Sequence, residues 1–147
     1  MKFEVKNNAN LRGIVKNVED SFRRTLELSL PTLKFGIQAR TKSGQDKDNK
    51  SFDKYSNIYA AAKARALGSA SPVNLSFTGD MLNSLKTRVD ANKLQGIISV
   101  TGQFNQQKSK WNQEGTNTVA SRKFLGLDSK QIQLLRRNFI DILNSRS

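Results

Sequence analysis

The densest grouping of chemically useful side chains is QDKDNKSFD, residues 45–53, where Asp46, Asp48 and Asp53 stand close together. Alternate oxygens such as those of Asp46 and Asp48 are how a calcium loop begins, because a hard cation collects ligands from every second residue. The third ligand position here is Lys50, and the glycine that such a loop needs for its turn is missing. The stretch therefore does not read as a metal site. The remaining acids cluster only at Glu19-Asp20. The chain has no histidine and no cysteine, which removes thiolate nucleophiles, disulfides, the usual zinc sites and the commonest general base near neutral pH. An enzyme would have to work with paired carboxylates or an activated lysine, and the inventory argues against one. No residue is assigned as catalytic, cofactor-binding or metal-ligating.

The cations carry more information. Lys and Arg number 25 against 12 acids, a formal net charge of +13, which attracts nucleic acid, an acidic protein surface or an anionic membrane. They are spread along the chain rather than gathered in a tail, so a solvated basic surface explains them equally well. Lys42, Lys47, Lys50, Lys54, Lys108 and Lys110 fall in or near segments that read as mobile, which keeps a basic nucleic-acid-binding module as the alternative reading. The aromatics Phe52, Tyr55, Tyr59 and Trp111 read as core or loop anchors rather than a base-stacking row.

These residues need a scaffold, and hydrophobic periodicity supplies one. Leu11, Ile14, Val15, Val18, Phe22 and Leu26 recur at steps of three and four, an amphipathic helix that Leu30, Leu33 and Ile37 continue to about Arg40. Pro31 predicts a kink, or a restart capped by Ser29. Residues 41–56 read as a mobile polar loop, and residues 56–68 as a short helix capped by Ser56 and ended by Gly68. Short strands are expected at residues 1–6, 73–77, 86–90 and 96–101, with one helical turn after a Thr78 cap. A helix over 104–114 would lie across the sheet and place Trp111 in the core. Asp128 and Gln131 form a capping box for a last helix striped by Ile132, Leu135, Phe139, Ile142 and Leu143. The predicted fold class is α+β: one domain over 1–147, with a long kinked N-terminal helix, an antiparallel sheet of three to four strands and the C-terminal helix packed on it.

Only 36% of residues are apolar, so the core is modest unless apolar surface is shared with copies or partners. No run of about 18 apolar residues occurs, and MKFEVKNNANLRG lacks the apolar stretch of a signal peptide, which predicts synthesis in a cytoplasm and no membrane partner.

Three stretches resemble one family. SFDKYSNIYAAAKA resembles the dG-x-x-F-x-x-Y-s-x-x-Y loop, and VNLSFTGDMLNSL the L-x-x-T-G-x-x-x-x-S-l turn, of the tailed-phage virion morphogenesis proteins. NQEGTNTVASRKFLGLD is similar to that family's h-x-x-G-T … p-x-R-x-F-L-G-l-s signature before a C-terminal helix. Together the motifs span residues 51–143. Asn49 replaces the loop glycine, and Ala120 and Ser121 stand where the family has a proline.

The resemblance implies a structural protein of a bacteriophage virion, a neck or tail-completion subunit made in the host cytoplasm and located at the head–tail junction. Its implied partners are copies of itself in a homo-oligomeric ring, a hexamer or dodecamer, with the phage neck, connector and tail proteins. Non-specific contact with genomic DNA in the lumen is a further implication. The residues expected to meet a partner or neighbouring subunit are Arg122, Lys123, Phe124 and Leu125, with loop contacts from Lys47, Lys50 and Lys54. Phe124 and Leu125 read equally as ordinary core residues, and Arg122 and Lys123 as solvated cations.

Overall fold

The computed structural model describes residues 8–76 and 78–146. In chain order the elements are α1 (Asn8–Lys42), α2 (Asn57–Leu67), α3 (Asp80–Asn83), β1 (Leu85–Asp90), β2 (Gln95–Val100), α4 (Gln103–Glu114) and α5 (Ser129–Asn144). The fold is α+β, with a long N-terminal helix and a two-stranded antiparallel sheet.

At 35 residues α1 is roughly 50 Å long. It runs through Pro31 as one helix, and the predicted restart at Ser29 does not occur. Ser29 is instead buried inside the helix, where its Oγ accepts a hydrogen bond from Asn138 Nδ2 of α5 at 3.1 Å. A proline in a helix interior costs about 3 kcal/mol. Leu26, Leu30, Leu33 and Ile37, all buried, flank it on the core face, and each contributes roughly 1.5–3 kcal/mol. Their packing offsets the lost backbone bond.

The strands pair from Leu85 with Val100 to Asp90 with Gln95. The described residues hold two strands rather than three or four. Val73 to Ser76 is not extended strand, because Leu75 takes φ +53°, which breaks the pleat. Residues 1–6, also expected as a strand, lie outside the described residues, as does Phe77. Gly96 passes so close to α1 that a Cβ there would sit 3.0 Å from Leu30 Cδ2.

The C-terminal helix differs from expectation in what it packs on. It lies along α1, with Phe22 and Phe139 edge to face at 5.7 Å and Gln131 Nε2 donating to the Leu33 carbonyl at 3.1 Å. That register makes the two helices antiparallel. The capping box forms as the sequence predicts, with Asp128 accepting from the Gln131 N–H and the Gln131 side chain accepting from the Asp128 N–H. No α5 side chain is fully buried, and Ile132 of the predicted stripe is exposed. The helix packs chiefly on α1, and its Leu135 lines a recess shared with Gly96 and Ile98 of the sheet.

The core joins Ile37, Phe52, Met81, Leu82, Leu85, Val100 and Phe124. Phe52 reaches it from the segment expected to be a mobile loop. That segment folds back on itself through a bridge between Gln45 and Ser51, with Asp46 Oδ1 accepting from the N–H groups of Asp48 and Lys50. Asn49 takes φ +60°, a conformation its short side chain tolerates. The short helix keeps its Ser56 and Gly68 caps, but α3 is capped by Gly79 rather than Thr78.

Candidate functional site

Residues 115–128 bring the partner-contact candidates together, though largely inward. Gly115 ends α4 at φ +80°, and a Cβ there would meet the Ser121 nitrogen at 3.0 Å and the Val119 oxygen at 3.1 Å. The chain turns back so tightly only because the position is glycine. Arg122 is 5% exposed, donating from Nε to the Asp53 carbonyl at 3.0 Å, from Nη2 to Lys54 at 2.8 Å and from Nη1 to Ala120 at 3.3 Å. Phe124 is fully buried in the core, and Leu125 is half-buried against it. Lys123 alone of the four is exposed.

The loop cations are placed separately. Lys47 pairs with Asp48 at 2.9 Å, a contact that holds the Asp48 carboxyl below its usual range. An exposed pair of this kind adds little stability. Lys50 and Lys54 are exposed. The Lys47 N–H donates to the Lys123 carbonyl at 2.9 Å, which ties the loop to the strap that follows α4.

The residue that organises this strap is marked in the sequence only as a helix end. Arg40, 6% exposed, donates from Nη2 to the carbonyls of Phe124 (3.0 Å) and Gly126 (2.8 Å). From Nη1 it donates to Gln131 Oε1 (3.1 Å) and reaches Asp128 Oδ2 (3.4 Å). One guanidinium thus links α1, the Phe-Leu-Gly turn and the capping box of α5. Its signal was present, since Leu33, Ile37 and Arg40 share the buried stripe at helical spacing.

A cavity of about 390 Å³ opens between α2, α3, α4 and the strap. Tyr55, just before α2, and Tyr59, in its first turn, face it with ring centroids 4.7 Å apart. Met81 and Asp80 come from α3, Lys108 and Trp111 from α4, Val119 and Arg122 from the strap. Trp111, expected in the core, is 44% exposed on the wall of this cavity. Burial and the neighbouring Tyr55 push the Tyr59 phenol above its ordinary pKa, while Arg122 opposes the shift.

Behind the cavity wall lies Lys63, 2% exposed, which donates to Asn74 Oδ1 and to Tyr55 Oη at 3.3 Å. Tyr55 Oη also accepts from the Leu75 N–H at 3.0 Å, holding Leu75 in its left-handed conformation. Tyr55, Tyr59 and Lys63 are spaced i, i+4 and i+8. Tyr59 and Lys63 share one face of α2, and Tyr55 stands just ahead of its Ser56 cap. The arrangement offers a shaped, partly aromatic, cationic recess. Among the described residues no group of three acids stands close enough to hold a metal ion.

A second surface stands apart from the cavity. Leu11, Ile14, Val15 and Val18, the first third of the α1 stripe, are 39–56% exposed. Comparison with protein-family profiles, curated sequences and solved structures returned no match.

Proposed function

We propose that the chain is a structural subunit of a tailed-phage virion, a neck or tail-completion protein that assembles into a ring at the head–tail junction. The observation that carries this reading is the bare apolar stripe Leu11–Ile14–Val15–Val18, projecting on a helix whose other half is covered. Four contiguous apolar side chains on one face of a chain only 36% apolar suit burial against another molecule. A head-to-tail contact repeated around an axis closes into a ring of copies, a hexamer or dodecamer. Each strand also has one edge unpaired by another strand among the described residues, where a neighbour could add the third or fourth strand of a wider sheet.

In this reading the work is done by surface complementarity, and the protein is not an enzyme. Phe124 and Arg122 act from inside, fixing the strap whose exposed residues, Lys123 among them, face neck, connector or tail proteins. Lys50 and Lys54 are available to such partners or to genomic DNA in the lumen. The net charge of +13 favours a second reading, a basic nucleic-acid-binding module.

Mass photometry of the purified protein, alone and mixed with phage neck and tail proteins, tests the first reading. Discrete ring-sized species are expected. A chain that stays monomeric with every partner, while binding duplex DNA with a steep salt dependence, overturns it in favour of the second.

A further inference from the structure

Arg122 and Lys63 both lie close to Tyr55, the guanidinium carbon 5.1 Å and the ammonium nitrogen 4.9 Å from the ring centroid. Both are almost completely buried, and their hydrogen bonds go only to neutral oxygens. Among the described residues no carboxylate forms an ion pair with either, nor with Lys108 at the mouth. A buried charge balanced only by dipoles and an aromatic ring keeps an outward field, and the low-dielectric walls of a recess focus it. Among the described residues the one acid lining the cavity is Asp80, which is exposed, with Oδ2 accepting from the Thr78 hydroxyl at 2.6 Å.

We propose that this cavity docks a polypeptide segment of another molecule in which an apolar side chain stands beside an acidic residue. It extends the assembly reading by giving the partner's chemistry, since the segment would belong to a neighbouring protein of the same particle. The apolar side chain enters between Tyr59, Met81, Trp111 and Val119. The carboxylate takes the Lys108 ammonium at the mouth, 4.4 Å from the Phe104 ring centroid, and answers the field of the two buried cations.

Size and charge both favour a short peptide over a nucleic acid. The volume lies at the lower end of the roughly 300–1,000 Å³ usual for ligand sites, which suits one or two side chains. A polyanion needs several accessible donors in a row. The Arg122 N–H groups are taken by carbonyls, and among the described residues Lys108 is the one accessible cation lining the cavity, enough for one carboxylate but not for a phosphate track.

Trp111 is the chain's single tryptophan, so its indole N–H gives one isolated reporter peak in a ¹H–¹⁵N spectrum. The probes are the capped tripeptides acetyl-Asp-Phe-Ser-amide, its Asn-Phe-Ser and Asp-Ser-Ser counterparts, and a short oligothymidylate. The Asp-Phe peptide is expected to shift the peak saturably, roughly tenfold more tightly than the Asn-Phe peptide, the worth of one charge-assisted hydrogen bond. The Asp-Ser peptide should not saturate. Lys108→Gln should bring the Asp-Phe and Asn-Phe affinities together while leaving the unfolding midpoint in place. Equal affinities in the unsubstituted protein, no saturation by any peptide, or tighter binding of the oligothymidylate would each overturn the proposal. Mass photometry on the same samples separates the two claims: rings without peptide binding sink the pocket alone, and peptide binding without rings sinks the ring alone.

Discussion

Replacing Arg40 by leucine should cost the protein about 4 kcal/mol. The guanidinium is buried and holds two backbone carbonyls, the buried one of Phe124 and the half-buried one of Gly126, which show no other hydrogen bond among the described residues. Each buried carbonyl left without a partner costs about 1–3 kcal/mol, and breaking a buried ion pair from one side costs about 3–5 kcal/mol. These terms overlap, because the same side chain supplies both, and the Arg40 Nε has no hydrogen-bond partner among the described residues, which lowers what the native state gains. A net loss near 4 kcal/mol corresponds to a fall in Tm of roughly 10–15 °C for a chain of this size. Thermal and urea unfolding followed by circular dichroism would measure it. Arg40→Lys keeps the charge but cannot fork between the strap and the capping box, so it should recover less than half of the loss. Asp128→Ala should cost less, about 1–2 kcal/mol, mostly for the lost cap, and should couple to Arg40→Leu in a double-mutant cycle. A leucine variant within about 1 kcal/mol of the wild type, or a lysine variant indistinguishable from it, would show that the strap is held by the Phe124 anchor and not by the guanidinium.

Gly115→Ala should destabilise by about 1–3 kcal/mol, because its Cβ would press on backbone atoms of Ser121 and Val119 that cannot rotate away, and limited proteolysis should then cut within 115–121. Val15→Gln combined with Val18→Gln should leave monomer unfolding within about 0.5 kcal/mol of wild type, since both side chains are exposed in the single chain, yet abolish ring-sized species in mass photometry. Tyr59 should ionise above the ordinary 10.0 in a spectrophotometric titration, with Tyr59→Phe removing that late component. The native state holds this proton more tightly than the unfolded chain, so the contribution is present below the ordinary tyrosine range and lost as pH rises through the raised value.

Local signals in the sequence carried over where the structure uses them locally. The capping box at Asp128 and Gln131, the Ser56 and Gly68 caps and the pairing of residues 85–90 with 95–100 depend on side chains or turns within a few positions. What depended on distant partners was less legible. Alternation in VNLSF suggested a strand, but the Tyr55 hydroxyl, twenty positions upstream, takes the Leu75 N–H and holds the residue at positive φ. Trp111 looked like core by residue type, but the turn at Gly115 and the strap leave it on an open wall. Of the candidate contact residues, type alone could not tell Arg122, satisfied by three carbonyls, from Lys123 beside it, which points outward. Pro31 left a kink and a restart both open, while the spacing of Leu26, Leu30, Leu33 and Ile37 already carried the helix across it; their burial shows why one helix runs through.

The uncovered start of α1 carries Arg12 and Lys16 beside Leu11 and Val15, with Glu19 and Asp20 following Val18, on a chain whose net charge is +13. Two copies approaching through that ridge must first bring their excess positive charge together. Raising ionic strength shortens the reach of this repulsion and leaves the attraction between apolar faces intact, so self-association should strengthen with added salt. Binding to a phosphate backbone has the opposite sign, because released counterions drive it only while the bulk solution is dilute. The direction in which complex formation responds to sodium chloride therefore tells which kind of surface the helix tip was built to meet.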